Sequence, residues 1–278
     1  MGSLEAVPLP KSYFDAPFAH RGLHDCGGIF GFDRTENSPS AFRSAIRARY
    51  GIELDLQLSS DGVPVVFHDN SLQRLTKLDK KVSDLEIKFL KELRLPNNES
   101  IPTFHEFLEL VSGQVPVLVE LKDQDGFLGS NIGRLEHAVA KALSKYYGPI
   151  AVMSYNPYSI KEFGLKLPSI PRGLVTEAFK TADWPKLSIE TLMYLRTFNA
   201  VKEVQASFVS HKYSDLNINF IKKMPSHVRV FSWTIHNKKA CEVALKQSQN
   251  ITFEGFFPDF SLIRQTKENT KRKKKSLE

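Results

Sequence analysis

Cysteine is nearly absent from the chain: 278 residues hold only Cys26 and Cys241, with no Cys-x-x-Cys pair or other ligand spacing. This excludes a cysteine zinc site and fits a reducing cytosol. Cys26 lies close to His24 in sequence, but an incidental loop cysteine is a plainer reading than a nucleophilic thiol. Long apolar runs are missing too. None approaches the roughly 18 to 20 residues that cross a bilayer, and Met1 to Lys11 lacks the basic-then-apolar pattern of a secretory signal. The expectation is a cytoplasmic protein with no transmembrane segment. No GxGxxG or GxxxxGK[ST] turn follows the first candidate strand, and Gly27, Gly28 and Gly31 have the wrong spacing and no lysine, so they read as a flexible loop.

Charge is unevenly spread. The formal net charge is +7, but Arg264 to Glu278 holds seven basic residues against two glutamates, which leaves residues 1–263 at only +2. A nearly balanced body does not argue for a folded nucleic-acid-binding face, and no nucleic-acid partner is expected. The run Lys271 to Lys275 reads as a solvated, disordered terminus, with weak contact to an anionic membrane surface as its other use.

Short apolar or β-branched runs alternate with longer amphipathic ones almost to the end of the chain. Candidate strands are 17–20, 51–57, 64–68, 116–121, 150–154, 170–175, 204–209, 228–233 and 251–256. Candidate helices are 38–49, 103–111, 133–146, 157–163, 188–198, 214–223 and 238–247. The alternation predicts βα units and a parallel sheet. About eight such units in a length near the ~250 residues typical of a (β/α)8 barrel favour a TIM-type α/β barrel over an open doubly wound sheet. One catalytic domain, 1–263, is expected, with a small insertion at about 69–101 and a basic tail, 264–278.

Side chains two apart on a strand share a face. In Gly51-Ile52-Glu53-Leu54-Asp55-Leu56-Gln57, Glu53 and Asp55 therefore point the same way from an otherwise apolar, buried strand. Two carboxylates in one low-dielectric space cannot both stay ionised cheaply, and a hard, oxygen-liganded cation such as Mg2+ or Ca2+ is the simplest remedy. Val117-Leu118-Val119-Glu120-Leu121-Lys122 repeats the pattern. Barrel strand ends converge on one mouth, so Glu53, Asp55 and Glu120 can meet there. The competing reading is a structural ion network among Asp55, Glu120 and Lys122. His20 and His68 each end a candidate strand and should reach the same mouth, where two imidazoles suit a general acid and a general base. Arg21 suits bidentate contact with phosphate.

The ordered series Phe18-Ala19-His20-Arg21-Gly22, Thr35-Glu36-Asn37-Ser38, Glu53-Leu54-Asp55-Leu56, Ser60-Asp61-Gly62-Val63-Pro64-Val65-Val66-Phe67-His68-Asp69, Leu72-Gln73-Arg74-Leu75-Thr76, Ile101-Pro102-Thr103-Phe104 and Glu120-Leu121-Lys122 resembles the glycerophosphodiester phosphodiesterase family. The likeness is dense over the first 122 residues and thinner beyond, at Met153-Ser154-Tyr155-Asn156-Pro157, Arg172-Gly173-Leu174 and Phe231-Ser232-Trp233-Thr234-Ile235. It implies a TIM-type barrel with an insertion after the second strand, and metal-dependent hydrolysis of glycerol-linked phosphodiesters to sn-glycerol 3-phosphate and an alcohol. It also implies Glu53, Asp55 and Glu120 as ligands of one divalent cation, His20 and His68 as the acid/base pair, and Arg21 and Lys122 as phosphate contacts. Trp233 matches a position near the substrate, with a barrel-core tryptophan as the competing reading. Glu36 is a weaker candidate, since Thr35-Glu36-Asn37-Ser38 also reads as the lead-in to a helix beginning near Pro39.

One departure stands out. The family's usual Thr-Asp ahead of a proline in the last strand is replaced by Phe253-Glu254-Gly255-Phe256-Phe257-Pro258, which bears on substrate preference. The alternatives are a related barrel phosphodiesterase acting on lysophospholipid or sphingolipid head groups, and a catalytically silent barrel that binds an anion.

Overall fold

The computed structural model describes residues 5–25 and 33–261. Its strands are β1 (Phe18–Ala19), β2 (Gly51–Leu58), β3 (Pro64–Val66), β4 (Val117–Leu121), β5 (Ile150–Ser154), β6 (Arg172–Thr176), β7 (Phe208–Lys212), β8 (Arg229–Ile235) and β9 (Asn250–Phe253). All but β3 pair in parallel around a ring that closes where β1 bonds to both β2 and β9. With helices between successive strands, this is the expected TIM-type barrel. Cys26, the glycines at 27, 28 and 31, and the basic tail lie outside the described residues. No helix among the described residues is long and apolar enough to cross a membrane.

Local chemistry starts the helices where the sequence signals them. Ser38 accepts from the Ala41 amide with Pro39 at the first position, and Thr103 with Glu106 forms a capping box. Asn156, Asn217 and Asn237 cap the helices Pro157–Lys166, Ile218–Lys223 and Lys238–Ala244. The expectation at 204–209 is displaced. Val204 ends a short helix, Asn199–Glu203, and Gln205 turns at φ 50°, so β7 begins only at Phe208.

The stretch after β2 also differs from its expectation. Pro64–Val66 is not a barrel strand; it folds back antiparallel to the overshooting end of β2, with Val65 opposite Gln57 and Val66 opposite Leu56. Beyond it the chain packs a core of its own, from Val65, Phe67, Leu72, Val82, Leu90, Leu95 and Ile101. The excursion from the barrel thus leaves β2 at its end and already includes β3.

Two apolar layers build the barrel itself. Outward side chains such as Ile52, Leu54, Leu56, Val117, Val119 and Leu121 pack against the helices. The lower interior is filled by Phe18, Leu118, Ala151, Phe208 and Phe231, with Tyr13 from the N-terminal segment below. Tyr13 donates its hydroxyl to the Val117 carbonyl at 2.6 Å. The wholly buried Asn250 amide donates to the carbonyls of Tyr13 (2.7 Å) and Ala16 (2.8 Å), which fixes this plug to β9.

Asn250→Ala should therefore destabilise the fold by at least about 2 kcal/mol, because each buried carbonyl stranded without a donor costs on the order of 1–3 kcal/mol. Denaturant titration would read this, with turnover of the folded protein unchanged. A midpoint matching the parent would mean the carbonyls find other donors.

Candidate active site

Closure of the ring dictates where the polar residues go. On β2, Ile52, Leu54 and Leu56 face the helices, so Glu53 and Asp55 face the barrel axis, and register places Asp55 opposite Glu120 on β4. They line a cavity of about 160 Å3 in the upper barrel with His20, Arg21, His68, Lys122, Tyr155, Ser210, Trp233 and Thr252. The expected residues Glu53, Asp55, Glu120, His20, His68, Arg21, Lys122 and Trp233 thus meet at one place. Glu36 lies just outside it, on an adjoining, wider cavity that shares His20 and Arg21.

Carboxylate oxygens of Glu53, Asp55 and Glu120 lie within 4.8 Å of one another, all buried, in an arrangement that can hold a metal ion. Part of the competing ion network is also present. Lys122 Nζ donates to Glu120 at 2.8 Å and lies 2.9 Å from Asp55, and Arg21 Nε is 3.4 Å from Asp55. Asn37 donates to Asp55 at 2.9 Å. Burial works against the Asp55 anion, but Lys122 foremost, with His68 and Arg21, holds its carboxyl far below the usual range. Glu53 fares differently: its side chain is offered the Arg21 backbone amide at 3.1 Å, and among the described residues no ammonium or guanidinium forms an ion pair with it. Burial, then repulsion from Asp55 and Glu120, pushes its carboxyl well above its ordinary pKa. Three acids facing two cations, one of which Glu36 also holds, leave the cluster short of positive charge. An all-oxygen donor set with that deficit fits a hard divalent cation.

Each histidine is oriented by a carboxylate at Nδ1. His20 Nδ1 lies 2.5 Å from Glu254 Oε2, and His68 Nδ1 lies 2.7 Å from Asp69 Oδ1. Burial opposes ionisation of both acids, but their hydrogen bonds hold them below the usual carboxylate range, Glu254 through His20 and His24 and Asp69 through Arg74 and His68. An ionised carboxylate can only accept, so each ring donates from Nδ1, and Nε2 is the nitrogen left to exchange a proton. His20 Nε2 approaches Glu53 at 3.9 Å. Burial lowers the His20 pKa, partly offset by Glu254, which favours the neutral ring. His68 comes to the mouth by the antiparallel return of β3, where the Phe67 amide bonds the Asp55 carbonyl at 3.0 Å, and not as the end of a barrel strand.

Arg74 ties the two halves of the mouth together. It bonds both oxygens of Glu36 at 2.7 Å and both of Asp69 at 2.6 and 3.1 Å, while Glu36 also accepts from Arg21 at 2.8 Å. Glu36 thus braces Arg21. Trp233 is half-buried on the cavity wall and donates its indole N–H to the Ser210 carbonyl at 2.9 Å. Phe256 packs edge-on against Phe253, and Phe257 is exposed; neither lines the cavity.

Sequence reasoning missed Glu254, Asp69, Arg74, Asn37 and Tyr155. Glu254 stands in the run that replaces the family's usual Thr-Asp, and its place directly after the last strand, where side chains gather at the mouth, is a usable signal. Asp69 adjoins His68, which is itself a usable signal. Arg74 and Glu36 are 38 positions apart, and no local pattern joins them.

Residues 20–261 match the model of the Glycerophosphoryl diester phosphodiesterase family. The glycerophosphodiester phosphodiesterase of Caldanaerobacter subterraneus subsp. tengcongensis is 27% identical over 223 residues, 76% of this chain and 84% of its own. Human glycerophosphodiester phosphodiesterase 1 is 30% identical over 153 residues, 51% of this chain and 40% of its own. Among solved structures, an Oleispira antarctica phosphodiesterase in complex with the product sn-glycerol-3-phosphate superposes with a TM-score of 0.68 at 22% identity, covering 94% of this chain and 97% of that one. The glycerophosphodiester phosphodiesterase of Thermotoga maritima gives 0.63 at 22%, covering 86% and 94%. With nearly the whole barrel inside the family match, the chain belongs to the glycerophosphoryl diester phosphodiesterase family and is a phosphoric diester hydrolase.

Proposed function

We propose that the chain hydrolyses glycerophosphodiesters to sn-glycerol 3-phosphate and an alcohol, with Glu53, Asp55 and Glu120 holding one divalent cation, Mg2+ or Ca2+, and His20 and His68 moving the protons. The observation that carries this reading is the pair of Nδ1-anchored imidazoles beside a buried, cation-deficient carboxylate cluster. When bound, the cation supplies electrostatic stabilisation for charge that builds on the phosphoryl oxygens. Arg21 and Lys122 line the same cavity and contribute fixed positive charge to it, with Arg21 braced by Glu36 and Arg74. One Nε2 takes a proton from the nucleophile as its oxygen bonds to phosphorus; the nucleophile is water, or the glycerol 2-hydroxyl, in which case water then opens the cyclic phosphate to give sn-glycerol 3-phosphate. The other ring, protonated, gives its proton to the alkoxide that leaves as the second P–O bond breaks. Trp233 offers an apolar wall for the glycerol or alcohol part. Glu254 and Asp69 touch no reacting atom; they are positioning residues for the two rings.

Glu53→Gln should abolish most turnover and weaken Mg2+ or Ca2+ binding, measured by calorimetry. In the parent, binding must displace the proton that the raised Glu53 pKa retains. Affinity should therefore fall by about tenfold per pH unit below that pKa and level off above it. Unchanged metal affinity in the variant would remove Glu53 from the ligand set.

His20→Ala and His68→Ala should each lower kcat on glycerophosphocholine by about 10²–10⁴, with cation binding retained. Near-parental turnover of either would take that ring out of the mechanism.

Glu254→Gln should lower kcat by about 10²-fold with little change in KM, the low end for a general acid–base group. Loss of the anion also lowers the proton affinity of His20, so the limb of the pH–rate profile that reports His20 should move to lower pH: the acid limb if His20 is the base, the alkaline limb if it is the acid. A reduced kcat with an unmoved limb would make Glu254 merely structural.

A further inference from the structure

Glu254 gathers three imidazoles. Its Oε2 is 2.5 Å from His20 Nδ1 and 3.5 Å from His24 Nε2, and its Oε1 is 3.3 Å from His236 Nδ1. Single histidine–glutamate pairs occur elsewhere on the surface, as at His137 and Glu162, 2.6 Å apart. What distinguishes the mouth is convergence: ligand atoms of His20, His24 and Glu254 all lie within 4.8 Å of one another. In a tetrahedral zinc site with bonds near 2.1 Å, ligand atoms stand roughly 3.4 Å apart, and the two measured separations on Oε2 bracket that value.

We propose that His20, His24 and Glu254 form a second, inhibitory metal site that takes a borderline transition-metal ion such as Zn2+, separate from the all-oxygen site of Glu53, Asp55 and Glu120. Donor chemistry divides the two. Two imidazole nitrogens and one carboxylate select Zn2+ or Co2+ over Mg2+ or Ca2+, whereas three carboxylates select the harder ions. Ions have access, because the group opens onto an outer cavity of about 500 Å3 lined also by Asp25, Glu36 and Arg74. His236 is exposed over about half its side chain, beside the other Glu254 oxygen, and can rotate to supply a fourth ligand, the position otherwise filled by water.

Occupation has a direct consequence for His20. The ion takes the Nδ1 lone pair and expels the proton that now bonds Glu254, so the ring is held by metal and not by a hydrogen bond. An imidazole bound to a dication resists protonation at its other nitrogen, which faces Glu53 at 3.9 Å. Proton transfer through His20 then stops while the carboxylate site stays intact. The inhibitory half of this inference rests on His20 acting as proposed above; the binding half does not.

The test uses the full chain in saturating Mg2+, with the parent, His24→Ala, His24→Gln and, as a distant control, His137→Ala. Co2+ binding is followed by visible d–d absorption and then displaced with Zn2+, and turnover is measured alongside. The parent should bind one Co2+ with the strong bands of tetrahedral nitrogen ligation, and Zn2+ should bleach them. Both His24 variants should lose the bands and bind at least about tenfold more weakly, the loss expected when a ligand is removed. His137→Ala should behave as the parent. Without Zn2+ the His24 variants keep the contact between His20 and Glu254 and so retain turnover, and their Zn2+ inhibition midpoint, each referred to the variant's own zinc-free rate, should rise by the same tenfold. Bands unaffected by His24→Ala, or removed by further Mg2+, would place the ion on the carboxylates and overturn the proposal. Normal Co2+ bands lost with His24 but no effect of Zn2+ on turnover would keep the site and refute the role of His20.

Discussion

Repulsion between like charges in a space with little water governs the upper half of this barrel. A closed ring of strands must send alternate side chains inward, and on β2 and β4 those are Glu53, Asp55 and Glu120. The nearest cations and one amide answer to them. Lys122 spans two of the acids, Arg21 presents its backbone to one and its guanidinium to another, and Asn37 gives its amide to Asp55. Glu53 remains the least compensated, which is why its proton is hard to remove until more positive charge arrives.

The barrel can hold this arrangement because its lower half is inert. Phe18, Phe208 and Phe231 fill the interior below the acids, with Phe208 and Phe231 rings 5.5 Å apart, and the N-terminal segment seals the base through Tyr13 and Asn250. Water is thereby kept from one end, and the site opens only upward. The polar half gains electrostatic strength from that seal, since the same charges interact more strongly where solvent is excluded.

Period-two alternation made the fold and the acid cluster legible in the sequence. It put Glu53 and Asp55 on one face without knowledge of any neighbour, and the repeat of the pattern at Glu120 and Lys122 did the same for β4. What alternation cannot reveal is which distant residue completes a contact. His20 meets Glu254 across 234 positions only because β1 and β9 close the ring. His68 illustrates a different limit: Val65-Val66-Phe67 has the composition of a barrel strand, and only the direction of pairing, fixed by the turn at Gly62 with φ 86°, makes it a return hairpin. Composition likewise suggested a strand from Val204, where the positive φ of Gln205 breaks the extended run.

The return hairpin divides the mouth between two separately packed bodies. His20, Arg21 and the three acids belong to the barrel, whereas His68, Asp69 and Arg74 ride on a small core built from Val65, Phe67, Leu72, Val82, Leu90, Leu95 and Ile101. Small cores open at lower free energy than the body that carries them. The chain accordingly has a way to lose one of its two carboxylate-anchored imidazoles while the barrel keeps its shape, so, if both rings move protons as proposed, warming would silence it before melting it. The same seam makes the enzyme modular: exchange of one compact excursion resets a histidine, its anchoring acid and the arginine fork in a single step, on a barrel that need not change.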